Sequence, residues 1–178
     1  MNALVNLWTY WCFFATFLVF LVFLPVNLIL VFIFGEKGKE IFVRYNHYVG
    51  NLLLFLYGMR KDIKGAFPLV YNKPCVYIAN HKSYLDVIII AALVPHKIKY
   101  LGKAEVFDWP LFGLFAKYSG QIPVKREDKE SRNRAYELMR ESIDDGFSII
   151  LFPEGGWRSS GDEIFPNPYG FKKDKLLN

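Results

Sequence analysis

His81 and Asp86, one imidazole and one carboxylate five positions apart, are the pair in this chain best suited to moving a proton. They lie in Asn80-His81-Lys82-Ser83-Tyr84-Leu85-Asp86. Neutral imidazole is the side chain best matched to taking a proton near neutral pH. A carboxylate on its other ring nitrogen fixes the tautomer and stabilises the imidazolium that forms. On a regular helix, five positions would turn the two side chains about 140° apart. They can meet only if His81 lies in a turn and Asp86 in the first turn of a helix. The flanks fit that geometry: residues 75–79 are a short apolar run of strand character, and residues 87–94 are a second apolar run of helical length. A strand end that hands over to a helix is where α/β proteins collect chemistry. The same residues also have a plainer use, because Ser83-x-x-Asp86 is a capping box that would leave His81 as a solvated loop residue. The two uses are compatible.

Two further polar stretches follow apolar runs. Gly120-Gln121-Ile122-Pro123-Val124-Lys125-Arg126 places two cations after a short strand, and arginine binds phosphate oxygens with a two-pronged fork. Phe152-Pro153-Glu154-Gly155-Gly156-Trp157-Arg158-Ser159 puts a carboxylate, two glycines and an arginine in a tight loop, where glycine allows close backbone approach. Singly, each is an ordinary turn. At successive strand ends, together with His81 and Asp86, they form a pattern.

The elements that must position these residues alternate from about residue 62 onward. Strands are predicted over 75–79, 97–101, 121–124 and 147–152. Helices are predicted over 87–94, from Asp108 or Pro110 to 118, and over 128–145, the last ended by Gly146. Turns are predicted at Ala66-Phe67-Pro68 and Asn72-Lys73-Pro74. This βαβ spacing predicts an α/β fold, a mixed sheet flanked by helices.

Ahead of it lies a membrane element. Residues 3–34 are almost wholly apolar, longer than the roughly 20 residues one bilayer crossing needs and too short for two. Pro25 is expected to kink this run or split it into unequal arms. Residues 40–58 carry an apolar helical stripe of Ile41, Tyr45, Tyr48, Val49, Leu52, Leu53 and Leu56, suited either to a membrane surface or to packing on the following domain. The chain thus divides into an anchor with an amphipathic helix, 1–60, and a catalytic domain, 61–178. No charged side chain precedes Glu36, so the net charge of +5 belongs wholly to the polar part and favours an anionic surface or substrate. Lys37, Lys39 and Arg44 flank the anchor and place the bulk of the chain on the cytoplasmic side. Cys12 and Cys75 lie far apart in apolar stretches, and no Cys/His cluster proposes a metal site. A long apolar anchor with so modest a charge argues against a nucleic-acid binder.

Taken together, these stretches resemble the glycerolipid acyltransferases of the lysophosphatidic acid acyltransferase type. Asn80 to Asp86 is similar to that family's N-H-x4-D block, Gly120 to Arg126 to its second block, and Phe152 to Ser159 to its F-P-E-G block. Lys103 and Glu105 resemble its Lys-x-Glu stretch. The resemblance covers about residues 70 to 173. It implies single-step transfer of a fatty acyl group from a thioester, carried by coenzyme A or acyl carrier protein, to a lysophospholipid hydroxyl, with no tightly bound cofactor. It also implies that His81 is the general base, that Asp86 orients it, and that Arg126, Glu154, Gly155, Arg158 and Lys103 contact the substrate. The chain has no G-x-S-x-G elbow for a serine acyl-enzyme. It departs from the family in two places. Trp157 stands three residues after the motif glutamate, where the family has arginine, and Arg158 follows one place later. Beyond Phe171-Lys172-Lys173 the family continues into another strand, so a catalytic domain incomplete at its C-terminus is expected. The alternatives are another lysophospholipid or an amino-acid lipid as acceptor, or a shortened, inactive lipid-binding scaffold.

Overall fold

The computed structural model describes residues 3–64 and 73–153. The chain forms two compact units, Met1–Leu69 with Val87–Pro95, and Val70–Asp86 with His96–Asn178.

The first unit is built on a helical hairpin, α1 (Ala3–Phe34) and α2 (Glu36–Leu56), joined at Gly35, whose φ of 57° is open to glycine. At 32 residues α1 is long and apolar enough to cross a membrane. Pro25 lies inside this helix, which continues past it rather than splitting into two arms. One face of α1, carrying Ala15, Val19, Leu24 and Asn27, is buried, and α2 packs along the helix. The other faces expose large apolar side chains such as Leu4, Phe13, Val22 and Phe32.

The far end of α2 returns to the beginning of α1. The Trp11 indole donates to the Leu56 carbonyl at 2.7 Å and the Trp8 indole to the Tyr57 carbonyl at 3.2 Å. These bonds satisfy carbonyls that a helix C-terminus leaves without intrahelical donors. The predicted stripe on α2 separates into two faces. Ile41, Tyr45, Tyr48 and Leu52 are exposed, whereas Leu53 is buried together with Phe42, Val43, Asn46, Gly50 and Leu54. Helix α3 (Leu85–Leu93) contributes its later residues to this unit. A Cβ on Gly50 would lie 2.8 Å from the Ala92 nitrogen, so only glycine allows this approach. Asn51 Nδ2 and Lys61 Nζ donate to the Ala92 carbonyl at 3.1 and 3.2 Å and cap the end of α3.

The second unit holds the sheet: β1 (Val76–Ile78), β2 (Ile98–Lys103), β3 (Ile122–Val124) and β4 (Ser148–Leu151). Their order is β1-β4-β2-β3, and among the described residues every pairing is parallel where a mixed sheet was expected. Parallel pairing needs a crossover between strands and brings all carboxyl ends to one edge. That edge therefore receives His81 after β1, Lys103 at the end of β2, Arg126 after β3 and Phe152 after β4. β4 is buried along its whole length, as its apolar run predicts. Helix α5 (Lys129–Asp144) lays Ala135 and Met139 on Ile122, Val124, Ile149 and Leu151 to form the core. Asp128 caps α5 by accepting from the N–H groups of Glu130 and Ser131, and Gly146, at φ 81°, follows its end.

Between β2 and β3 a 3-10 turn (Ala104–Asp108) comes first, and the helix predicted from Asp108 or Pro110 to 118 is the shorter α4 (Phe112–Tyr118). Pro110 offers no N–H, and Leu111 takes φ 62° with the Phe112 N–H bonded to the Pro110 carbonyl at 2.7 Å. The helix restarts only after that tight turn. The opposite edge of the sheet is tied by His96, whose Nε2 lies 3.2 Å from both the Tyr77 and Ser148 hydroxyls. The turn predicted at Ala66-Phe67-Pro68 lies outside the described residues.

Candidate active site

The turn after β1 brings His81 and Asp86 together. His81 Nδ1 lies 3.1 Å from Asp86 Oδ2, and the same oxygen accepts from the backbone N–H groups of Lys82 at 2.7 Å and Ser83 at 2.8 Å. Ser83 Oγ in turn accepts from the Leu85 N–H at 3.2 Å. The carboxylate arm of the capping box is therefore present. The Ser83 hydroxyl caps one residue earlier than the box has it, while the Asp86 N–H bonds the Ser83 carbonyl. The same carboxylate also holds the histidine. An ionised carboxylate is acceptor-only, so this contact puts the proton on Nδ1 and the lone pair on Nε2.

The imidazole is further fixed from β4. The Phe152 ring stacks on His81 with centroids 4.2 Å apart and planes at 23°, and Tyr100 stacks on Phe152 at 6.4 Å. Desolvation pushes the Tyr100 phenol far up, so it stays neutral. Sequence reasoning did not assign roles to Phe152 or to the Lys82 and Ser83 N–H groups. The only signal for Phe152 was its place as the first residue of the third block.

Charge collects along the same edge. Arg126 is half-buried after β3, and its guanidinium makes no hydrogen bond to a described residue. Burial lowers its pKa, offset in part by Glu127 and Glu105. Lys103 pairs with Glu105 at 3.2 Å in an exposed position. A hydrogen bond from its own backbone N–H holds Glu105 below the usual carboxylate range, and Lys103 and Lys125 add to the effect. The structure thus brings His81 and Asp86 into contact and puts Lys103 and Arg126 on the edge that carries them. Glu154, Gly155 and Arg158 lie outside the described residues.

A family model described as Acyltransferase matches residues 60–174. This chain belongs to that acyltransferase family. A lyso-ornithine lipid O-acyltransferase of Rhizobium meliloti is 29% identical over 132 residues, covering 74% of this chain and 42% of that protein. The chloroplastic 1-acyl-sn-glycerol-3-phosphate acyltransferase BAT2 of Brassica napus is 32% identical over 154 residues, covering 82% of this chain and 43% of that protein. The chain therefore spans less than half the length of these two relatives. The crystal structure of the 1-acyl-sn-glycerophosphate (LPA) acyltransferase PlsC from Thermotoga maritima shares the fold, with a TM-score of 0.73 at 20% identity over 97% of this chain and 67% of that one.

Proposed function

We propose that this acyltransferase is membrane-bound and moves a fatty acyl group from a thioester to the hydroxyl of lysophosphatidic acid, yielding phosphatidic acid for phospholipid synthesis. The observation that carries the reading is the tautomer-fixing contact of His81 Nδ1 with Asp86 Oδ2 at the carboxyl edge of the sheet. In the reaction the acceptor hydroxyl oxygen attacks the thioester carbonyl carbon and its proton passes to His81 Nε2. The carbon–sulfur bond then breaks, and the leaving thiolate takes that proton from the imidazolium. Asp86 stabilises the imidazolium between those events. No cofactor takes part, and the donor is an acyl-coenzyme A or acyl carrier protein thioester. Arg126 binds the acceptor phosphate: a half-buried guanidinium interacts with an anion more strongly than an exposed one. Lys103, Glu154, Gly155 and Arg158 complete the substrate contacts. α1 holds the chain on the membrane, and the basic residues following it put the catalytic unit on the cytoplasmic side.

A second acceptor has a specific observation behind it, because the Rhizobium meliloti relative is named for a lyso-ornithine lipid. One assay tests both acceptors. Full-length protein in vesicles receives an acyl thioester and either lysophosphatidic acid or an amino-acid lysolipid. Transfer to lysophosphatidic acid should fall about 10²–10⁴-fold in His81→Ala. Arg126→Ala should raise KM for the phosphate acceptor roughly 10- to 100-fold and leave the amino-acid acceptor unaffected. Transfer that proceeds normally without His81 would overturn the mechanism, and transfer only to the amino-acid lipid would replace the acceptor.

A further inference from the structure

Tyr84 and Trp109 form an exposed aromatic pair beside the candidate site, with no part in the chemistry above. Tyr84 belongs to the turn that carries His81, and Trp109 follows the segment of Lys103 and Glu105. They are 71% and 47% exposed, and their ring centroids lie 6.1 Å apart. Burial of such rings is worth far more than their mutual contact, so an exposed pair is energetically unfinished. The backbone close to Trp109 is strained. Leu111, two residues on, sits at φ 62° and ψ −57° in a three-residue turn closed by the Phe112 N–H on the Pro110 carbonyl. That form is rare and strained for a side chain branched like leucine. Leu114 and Tyr118 are further exposed apolar side chains, on α4.

We propose that this patch is a second lipid-docking surface, in which Tyr84 and Trp109 seat the catalytic unit at the headgroup level of an anionic bilayer. Three observations favour a bilayer as the occupant. Tyr and Trp each have an apolar body and a polar tip, the pairing that collects at membrane interfaces. Lys82, Lys103 and Lys117 are exposed on the turn of Tyr84, the segment before Trp109 and α4; against them stand two exposed carboxylates, Asp108 and Glu105, the latter paired with Lys103. That balance suits anionic headgroups. The chain also carries α1, so the same bilayer is presented at high effective concentration and a small patch suffices. Two rings are far too small for a stable protein interface, which needs about 1,200 Å² in total. The inference rests on the acyl-transfer reading only for its consequence, that the mouth of the site is brought to a lipid acceptor.

Two measurements on the full chain test it. In vesicles of equal parts phosphatidylcholine and phosphatidylglycerol with brominated acyl chains, the difference in emission between wild type and Trp109→Phe reports Trp109 alone. Docking predicts that this difference is quenched relative to unbrominated vesicles, and an unquenched difference overturns the proposal. In the second measurement, Trp109→Ser should slow transfer to a bilayer-embedded lysolipid roughly tenfold and leave kcat and KM for a short-chain, water-soluble acceptor unchanged. Equal losses on both acceptors would make the patch part of the fold or the site and overturn docking. Self-association in detergent that Trp109→Ser abolishes would assign the patch to a second copy instead. If the protein transfers no acyl group at all, the function fails, but the quenching measurement still decides the docking surface.

Discussion

Asp86 Oδ2 gathers three donors, two from the backbone of its own turn and one from His81. The cap and the proposed catalytic contact therefore share one atom, and substitution can separate them. An asparagine side chain would offer a carbonyl oxygen in the same place and keep the accepting geometry while losing the negative charge. Asp86→Asn is expected to lower kcat at least about a hundredfold with KM and thermal midpoint nearly unchanged, because the imidazolium loses its counter-charge. Asp86→Ala should show the same kcat loss and lose about 0.5–2 kcal/mol of stability with the cap. Unchanged kcat in Asp86→Asn would mean that the residue is a cap and nothing more. The pair was legible in the sequence because both residues lie within one turn and the spacing itself limits how they meet. The stack of Phe152 on His81 was not, because it depends on β4 pairing beside β1 across a long stretch of chain.

Among the elements, β4 lies between β1 and β2 and so gives the site its order. The alternation of apolar runs and charged helices disclosed the strands, but neighbouring strands are chosen by long-range packing that no local pattern encodes. The two faces of α2 were hidden in the same way, since one apolar stripe looks alike whether it meets α1 or is left exposed. His96 joins three strands' worth of structure, with Nε2 facing Tyr77 of β1 and Ser148 of β4 at the start of β2. Burial lowers its pKa from 6.5. The folded state then prefers neutral imidazole, and below about pH 6.5 the unfolded chain binds more protons than the folded one. His96 contributes full stability above that pH, and the contribution is lost as pH falls toward the folded pKa. Thermal midpoints measured from pH 7.5 down to 5 should therefore fall more steeply in wild type than in His96→Gln. His47, lowered by burial and Lys61, acts in the same direction, so the variant keeps a smaller slope. Parallel slopes in the two proteins would show that His96 is not linked to folding.

At the scale of the whole molecule the charge is divided as sharply as the structure. Every charged side chain follows Gly35, leaving α1 neutral and giving the remainder a net charge of +5. This division could be read from composition alone; what composition could not show is that Lys103, Lys125 and Arg126 stand at one sheet edge, with Glu105 coupled to all three. Such a field would attract the proposed anionic acceptor before any contact forms, and it is screened as ionic strength shortens the Debye length from about 10 Å at 0.1 M to about 3 Å at 1 M. With lysophosphatidic acid in uncharged detergent micelles, kcat/KM should fall roughly tenfold between low and high salt while kcat stays constant. A lysolipid without net charge should show little change. Arg126→Ala should start lower yet keep much of the salt slope, because the remaining cations still shape the field. If instead the slope vanished with Arg126 alone, attraction would reside in a single contact and the rest of the basic edge would be ordinary solvated surface.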